Sequence, residues 1–268
     1  MSLNIKQNSE TISLDIRQLI SKRYHSITKA VNYEFWNSTS EVDHSFYVGS
    51  YGRGTAIDTS DIDILIELPE DEYNRYDLAK GNGQSRLLQA VKDAIVSVYP
   101  KSEIHADGQV VVINFSDGIK FEVLPAFKSI WLGYQYPDTN MGGNWKATNP
   151  KAEQNAMREK NSSSNGLLFD TCKHIRRIHS EHYKSYHLSG IVIDSFVYNA
   201  IGGWRWPNPN VESGGSCSAY EETLFNYYNI NSFNGLIPIS LVAPGSNQSI
   251  DTKSSMECLG KVLKYMVD

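Results

Sequence analysis

Cysteine is scarce in this chain: three in 268 residues, at positions 172, 217 and 258, with no CxxC pair among them. An odd, scattered set argues against a disulfide framework and suits a reducing cytosol. No Cys/His cluster with zinc-finger spacing exists either. Positive charge is in short supply. Lys and Arg number 25 against 30 Asp and Glu, a formal net charge of −5. That speaks against a surface built to grip long duplex nucleic acid, although a local basic patch stays open. There is no run of 18 apolar residues to span a membrane. The longest apolar stretch, LSGIVIDSFVYNAIGG at 188–203, contains Asp194 and reads as a buried core helix. The start, MSLNIKQNSE, lacks the apolar centre of a signal peptide, so a cytoplasmic location is expected. Repeats and low-complexity tracts are absent. What is left is ordinary globular material, 40% hydrophobic and 21% charged, long enough for one large domain or two small lobes.

Apolar periodicity divides the chain into three parts. Leu14, Leu19, Ile20, Ile27, Val31 and Phe35 predict one long amphipathic helix over 12–36. Residues 45–130 read as α+β. A strand or turn leads into Gly49-Ser50, a strand follows over 61–68, and a helix over 84–98 carries Leu87, Leu88, Val91, Ala94 and Ile95. QVVVINF and IKFEVL flank Ser116-Asp117-Gly118, a strong hairpin signal. The stretch 137–150, rich in Gly, Asn and Pro, reads as a loop. Beyond it the pattern is mostly helical, over 152–160, 165–183, 188–202 and 251–266, with a polar loop at 207–218.

The stretch VGSYGRGTAIDTSDIDILIEL, residues 48–68, carries the chemistry. Ile62 to Ile66 is strand-like and apolar, yet Asp63 sits inside it and Asp61 beside it. Alternate residues of a strand share a face, so the two carboxylates point the same way. Burying them is costly without a compensating cation or hydrogen bonds. Glu122, between Phe121 and Val123, raises the same difficulty. If the hairpin packs beside the first strand, three carboxylates converge. All-oxygen anionic ligation suits Mg²⁺ with water and substrate phosphates. Two such ions can align an attacking hydroxyl and stabilise a leaving pyrophosphate. Gly49 would let a backbone N–H approach a phosphate, and Ser50 adds a hydroxyl donor.

Val48-Gly49-Ser50, ten residues, then Asp61-Ile62-Asp63-Ile64 resembles the signature of the polymerase-β-like nucleotidyltransferases. The fuller string, with FEVLPAF (121–127), GGNWKATNP (142–150), IRR (175–177), LSGIVID (188–194) and APGSNQ (243–248), is similar to bacterial cyclic-oligonucleotide synthases of anti-phage defence. These are relatives of cyclic GMP-AMP synthase and oligoadenylate synthase. The resemblance implies an α+β fold: residues 1–150 as N-terminal helix and mixed-sheet nucleotidyltransferase core, and 151–268 as a helical lobe braced by that helix, with the site in the cleft between them. It implies a template-independent enzyme that joins nucleoside triphosphates, ATP among them, into a cyclic di- or trinucleotide. Asp61, Asp63 and Glu122 would hold two Mg²⁺ ions, for which Mn²⁺ can substitute. Gly49, Ser50, Arg53, Lys173 and Ser189 would bind nucleotide. Many relatives carry Asp where this chain has Glu122. No long nucleic acid and no membrane are required, and a monomer is expected. A linear oligoadenylate-type product, a terminal RNA transferase and a catalytically dead sensor are the alternatives.

Each residue has a plainer reading. Asp61 could be a turn residue beside Asp58 and Ser60, and Glu122 an edge-strand charge facing water. Arg53 could be a surface charge. Lys173, Arg176 and Arg177 could be a solvated basic face, and Ser189 a helix N-cap. His179 and His182 have the spacing of a metal pair but no third ligand. Trp145, Trp204 and Trp206 could stack a base or simply pack.

Overall fold

The computed structural model describes residues 5–131, 133–208 and 220–268. They fall into two compact units. One comprises Ile12–Gly52 and Ser60–Lys151; the other comprises Met1–Thr11, Arg53–Thr59 and Ala152–Asp268. A single cut at 150 therefore misses two short stretches that belong with the second unit. Cys217 and most of the loop expected at 207–218 lie outside the described residues.

The first unit is a mixed sheet with helices. Helix α1 (Leu14–Trp36) begins at Ser13, whose hydroxyl accepts from the Ile16 N–H, and ends at Asn37 in the left-handed conformation. It buries Ile20, Tyr24, Ile27 and Val31, one face at alternating steps of four and three. Strand β1 (Ser45–Tyr47), a one-turn helix α2 (Gly49–Arg53), strand β2 (Ile62–Glu67) and helices α3 (Glu70–Asp77) and α4 (Gly83–Val96) follow. Then come β3 (Glu103–Asp107), β4 (Val110–Asn114), β5 (Lys120–Ser129), β6 (Gly133–Asp138) and β7 (Asn144–Thr148). The strand order is β1-β2-β5-β4-β3, with β6 on β5 and β7 on β6. Among the described residues, only β2 and β5 run parallel; the other pairings in this sheet are antiparallel. The Asp-Gly hairpin forms as read, with Val111 opposite Val123 and Gly118 at φ +87°. Its turn is tied to α1 by Arg23, which donates twice to Asp117 at 2.7 and 3.0 Å.

Pro125 lies inside β5, where a missing N–H is normally a defect. The Ala126 carbonyl accepts from Leu68 on the β2 side. Pro125 therefore faces the other side, where β4 pairs with residues 120–123 and β6 with 127–129. The absent donor falls in the gap between these two partners.

Several elements differ from the sequence reading. The stretch 137–150 is no loop. Pro137 pairs with Trp145 and Asp138 with Asn144, and Gly142 and Gly143, both at positive φ, make the turn. The turn residues hide a short hairpin. Strand β3 escapes the sequence reading because four of its five residues are exposed, so it has no apolar alternation. Helix α3 is short and mostly charged and polar. Helix α1 packs on the sheet through the cluster that contains Ile62, Ile64, Phe121 and Val123.

The second unit is helical: α5 (Pro150–Ser163), α6 (Leu167–His182), α7 (Gly190–Ala200), α8 (Tyr220–Ser232) and α9 (Met256–Val267), plus a small ladder of β8 (Leu241–Val242) with β9 (Ser249–Ile250). Helix α8 is absent from the sequence reading. Leu168, Ile175, Val192, Phe196, Leu224, Leu259 and Leu263 are among the core residues of this unit. Cys172 and Cys258 are buried free thiols, and burial pushes both up in pKa. None of the described helices is long and apolar enough to cross a membrane.

Asp194 is wholly buried in this apolar setting. It accepts from Arg176 at 2.7 Å, from Arg53 at 2.8 Å and from Thr55 at 3.0 Å. Arg53 also reaches Glu153 at 3.1 Å. Burial alone would raise the Asp194 pKa, but the two guanidiniums override it and hold it below the usual range. Glu153 is shifted the other way by burial, against the pull of Arg53. Removing the Asp194 charge leaves two guanidiniums short of their counter-ion, so Asp194→Asn should cost about 3–5 kcal/mol in chemical denaturation. A depressed carboxyl stabilises fully above its unfolded pKa, near 3.9, and that contribution fades as pH falls through the folded value. The gap between wild type and Asp194→Asn should therefore stay constant from pH 8 to 5 and narrow below about pH 4. A gap that widens in acid would show that the pairing does not depress this carboxyl.

Candidate active site

The acids are placed by strand register. Across the parallel pair, Ile62 faces Phe121, Asp63 faces Glu122, Ile64 faces Val123 and Leu65 faces Leu124. Ile62, Ile64, Phe121 and Val123 belong to the core shared with α1 and α4. Leu65, Leu124 and Ala126 belong to a smaller cluster with Val48 and Tyr134. Because side chains alternate, Asp63 and Glu122 share the face of Leu65 and Leu124, opposite the α1/α4 core. Asp61, just before β2, falls on the same face. One sheet face thus turns from apolar to acidic along the strands.

Lys120, two residues before Glu122, stands among these acids. Its Nζ lies 2.9 Å from Asp61 Oδ2 and 2.6 Å from Glu122 Oε1. Partial burial alone would lower the Lys120 pKa, but hydrogen bonds to Glu122 and Asp61 outweigh it and the net shift is upward. The Asp61 and Glu122 side chains are 47% and 28% exposed, so the group is open to solution. Sequence reading misses Lys120; its one signal is the even spacing to Glu122 on one strand.

Gly49 makes room for an acid. It sits at φ +58°, and a Cβ there would land inside the Asp63 carboxylate. The Val48 N–H donates to the Asp63 carbonyl at 2.8 Å, extending the β1–β2 ladder up to this point. The missing side chain of Gly49 is the space that Asp63 fills. Ser50 follows in α2, half-buried.

These donors suit a hard divalent cation. All are carboxylate oxygens, and Mg²⁺ commonly takes one or two of them with water and substrate phosphates. Among the described residues, no group of three or more His, Cys, Asp or Glu side chains is placed to hold a metal ion by itself. Lys120 lies between two of the three acids. The arrangement fits an open site finished by substrate, not a closed one.

The other candidates lie in the helical unit, apart from Trp145 on β7. Arg53 is expected at nucleotide, but its guanidinium is 8% exposed and committed to Asp194 and Glu153. It is a structural ion pair. Lys173 is half-buried on α6. Ser189 does occupy the N-cap position of α7, but its side chain makes no capping bond, and its N–H donates to the Ser255 hydroxyl at 3.0 Å. His179 turns to the Tyr186 carbonyl and His182 to the Tyr265 hydroxyl, so they do not form a metal pair. Trp145 and Trp206 donate their indole N–H to Asp77 and Asp170, and Trp204 packs on Tyr220. A cavity of about 800 Å³, lined by Glu10, His174, Arg177, Glu181 and Tyr265 among others, includes none of the three acids.

Residues 4–161 match the family described as Second Messenger Oligonucleotide or Dinucleotide Synthetase domain. A probable cyclic nucleotide synthase of Bacillus cereus (strain VD146) is 24% identical over 233 residues, 78% of this chain and 69% of that protein. Solved structures share the fold. The Elizabethkingia meningoseptica CdnE cyclic dinucleotide synthase, solved with GTP and Apcpp, matches with a TM-score of 0.60 and 18% identity, over 92% of this chain and 89% of that one. The Bradyrhizobium diazoefficiens CD-NTase CdnG, solved with GTP, matches with a TM-score of 0.64 and 10% identity, over 96% and 85%. With its mixed sheet, its Gly-Ser and its Asp-x-Asp, the chain belongs to this second messenger oligonucleotide or dinucleotide synthetase family.

Proposed function

We propose that the chain joins nucleoside triphosphates, without template, into a cyclic di- or trinucleotide that signals phage infection. The observation that carries the chemistry is the register of Asp63 with Glu122, beside Asp61, on one open sheet face. In each step an acceptor ribose hydroxyl oxygen bonds to the donor α-phosphorus. The bond from that phosphorus to the β-phosphate bridging oxygen breaks, and pyrophosphate leaves with its electron pair. Glu122 takes up the hydroxyl proton. Asp61 and Asp63 would hold two Mg²⁺ ions, with Glu122 on the second. Bound Mg²⁺ supplies the positive charge that acidifies the attacking hydroxyl and offsets charge on the leaving pyrophosphate. Gly49 keeps the Asp63 carboxylate in place, and Ser50 donates to a donor phosphate. Lys173 and Ser189 are proposed as further phosphate contacts on the family resemblance alone. With a net charge of −5, the protein needs no long nucleic acid partner.

The purified, nuclease-treated enzyme should convert triphosphates with Mg²⁺ into a phosphatase-resistant product. A product that shrinks under phosphatase would be linear and would favour oligoadenylate-type synthesis. A requirement for added duplex DNA or RNA would overturn the polymer-free reading. Asp61→Asn, Asp63→Asn and Glu122→Gln should each lower the rate at least about 100-fold, roughly 2.7 kcal/mol of transition-state stabilisation, with the melting temperature unchanged or higher. Near-normal turnover in either Asp variant would rule out the two-metal scheme. Gly49→Ala must adopt left-handed backbone, costing roughly 1 kcal/mol, and must push the Asp63 carboxylate aside. Its loss of kcat should therefore far exceed its loss of stability. Normal kcat in a destabilised Gly49→Ala would make the glycine purely a turn residue.

A further inference from the structure

Lys120 is tied to the acids by its position on β5, not by chance proximity at a flexible surface. It shares a strand and a face with Glu122, in register opposite Asn114 of β4. Its ammonium bridges Asp61, just before β2, at 2.9 Å and Glu122, on its own strand, at 2.6 Å, while only a third of its side chain is exposed. A divalent cation entering here meets a covalently tethered competitor for two of its three carboxylates. It must break both contacts, and the displaced ammonium then needs another anion within reach of the same site. A nucleoside triphosphate is the anion that the reaction delivers there.

We propose that Lys120 is an internal counter-cation that holds Asp61 and Glu122 until divalent metal and triphosphate enter together, so that the protein without nucleotide takes up metal weakly. This rests on the metal reading of the three acids and adds an order of loading to it. In the loaded state Lys120 exchanges its carboxylate partners for triphosphate oxygens. No bond is made or broken covalently; one cation replaces another, and charge balances through the incoming phosphates. The exchange couples metal and nucleotide affinities, and by linkage each strengthens the other by the same factor.

The test uses the full chain and Mn²⁺ alone, with free Mn²⁺ counted by electron paramagnetic resonance, then repeats it with a non-hydrolysable triphosphate. Lys120→Met keeps the length of the side chain and removes its charge; Lys120→Arg keeps the charge. Without nucleotide, Lys120→Met should bind Mn²⁺ about tenfold tighter than wild type, the scale of two partly exposed ion pairs lost, and Lys120→Arg should stay near wild type. The gain in Mn²⁺ affinity that triphosphate brings should be smaller in Lys120→Met than in wild type. Equal Mn²⁺ affinity in wild type and Lys120→Met would overturn the proposal, provided Asp61→Asn and Asp63→Asn bind Mn²⁺ more weakly, and would leave the metal reading standing. If neither Asp variant weakens Mn²⁺ binding, the metal reading itself fails and takes this proposal with it. A melting curve for each variant separates these outcomes from misfolding.

Discussion

The parallel pairing of β2 with β5 is the constraint on which the site depends. These strands lie far apart in sequence, so their acids meet only if the register is held. It is held from the other face: Ile62 against Phe121 and Ile64 against Val123 drive into the core under α1 and α4. A slip of either strand by one residue would turn its two core residues to the other face and its acid into the core. The hydrophobic side of the sheet thus enforces an arrangement of charges that would not assemble unaided. Lys120 reduces their mutual repulsion, and Gly49 gives one of them room.

Much of this is legible in the amino-acid sequence. The Asp-x-Asp alternation, the apolar neighbours of Glu122 and the Asp-Gly turn are local signals, and each leads to the right element. Helix α1 is legible because its buried positions, Ile20 to Val31, follow a helical period over about three turns. The elements that escape have weak local physics. Strand β3 is exposed and has no pattern, and β7 lies in a stretch whose glycines and asparagines resemble a loop. Arg53 sits inside the motif, and motif position alone puts it near substrate. Its buried partners Asp194 and Glu153 lie 141 and 100 residues away, and nothing in the motif points to them. Asp194 stands out as an acid within an apolar run, but the run does not say which cations answer it.

The two units use buried charge differently. In the helical unit, Asp194, Arg53, Arg176 and Glu153 are enclosed and answer one another, so their role is to fix packing. In the sheet unit, the acids stay partly open to solution, and Asp61 and Glu122 answer to a single lysine. A closed ion-pair set resists exchange, whereas an open one can trade its cation. The same residue types therefore form a closed set in one unit and an open, exchangeable one in the other, and solvent access separates the two.

Strand alternation makes function and stability separable along β2 at single-residue resolution. Ile62, Asp63 and Ile64 are consecutive, yet the outer two serve only the core and the middle one only the open face. The acid face sets like charges side by side, so neutral side chains there would strengthen the fold. On the proposed chemistry, selection for a sturdier protein and selection for a working one pull in opposite directions at Asp63. At its neighbours they pull the same way.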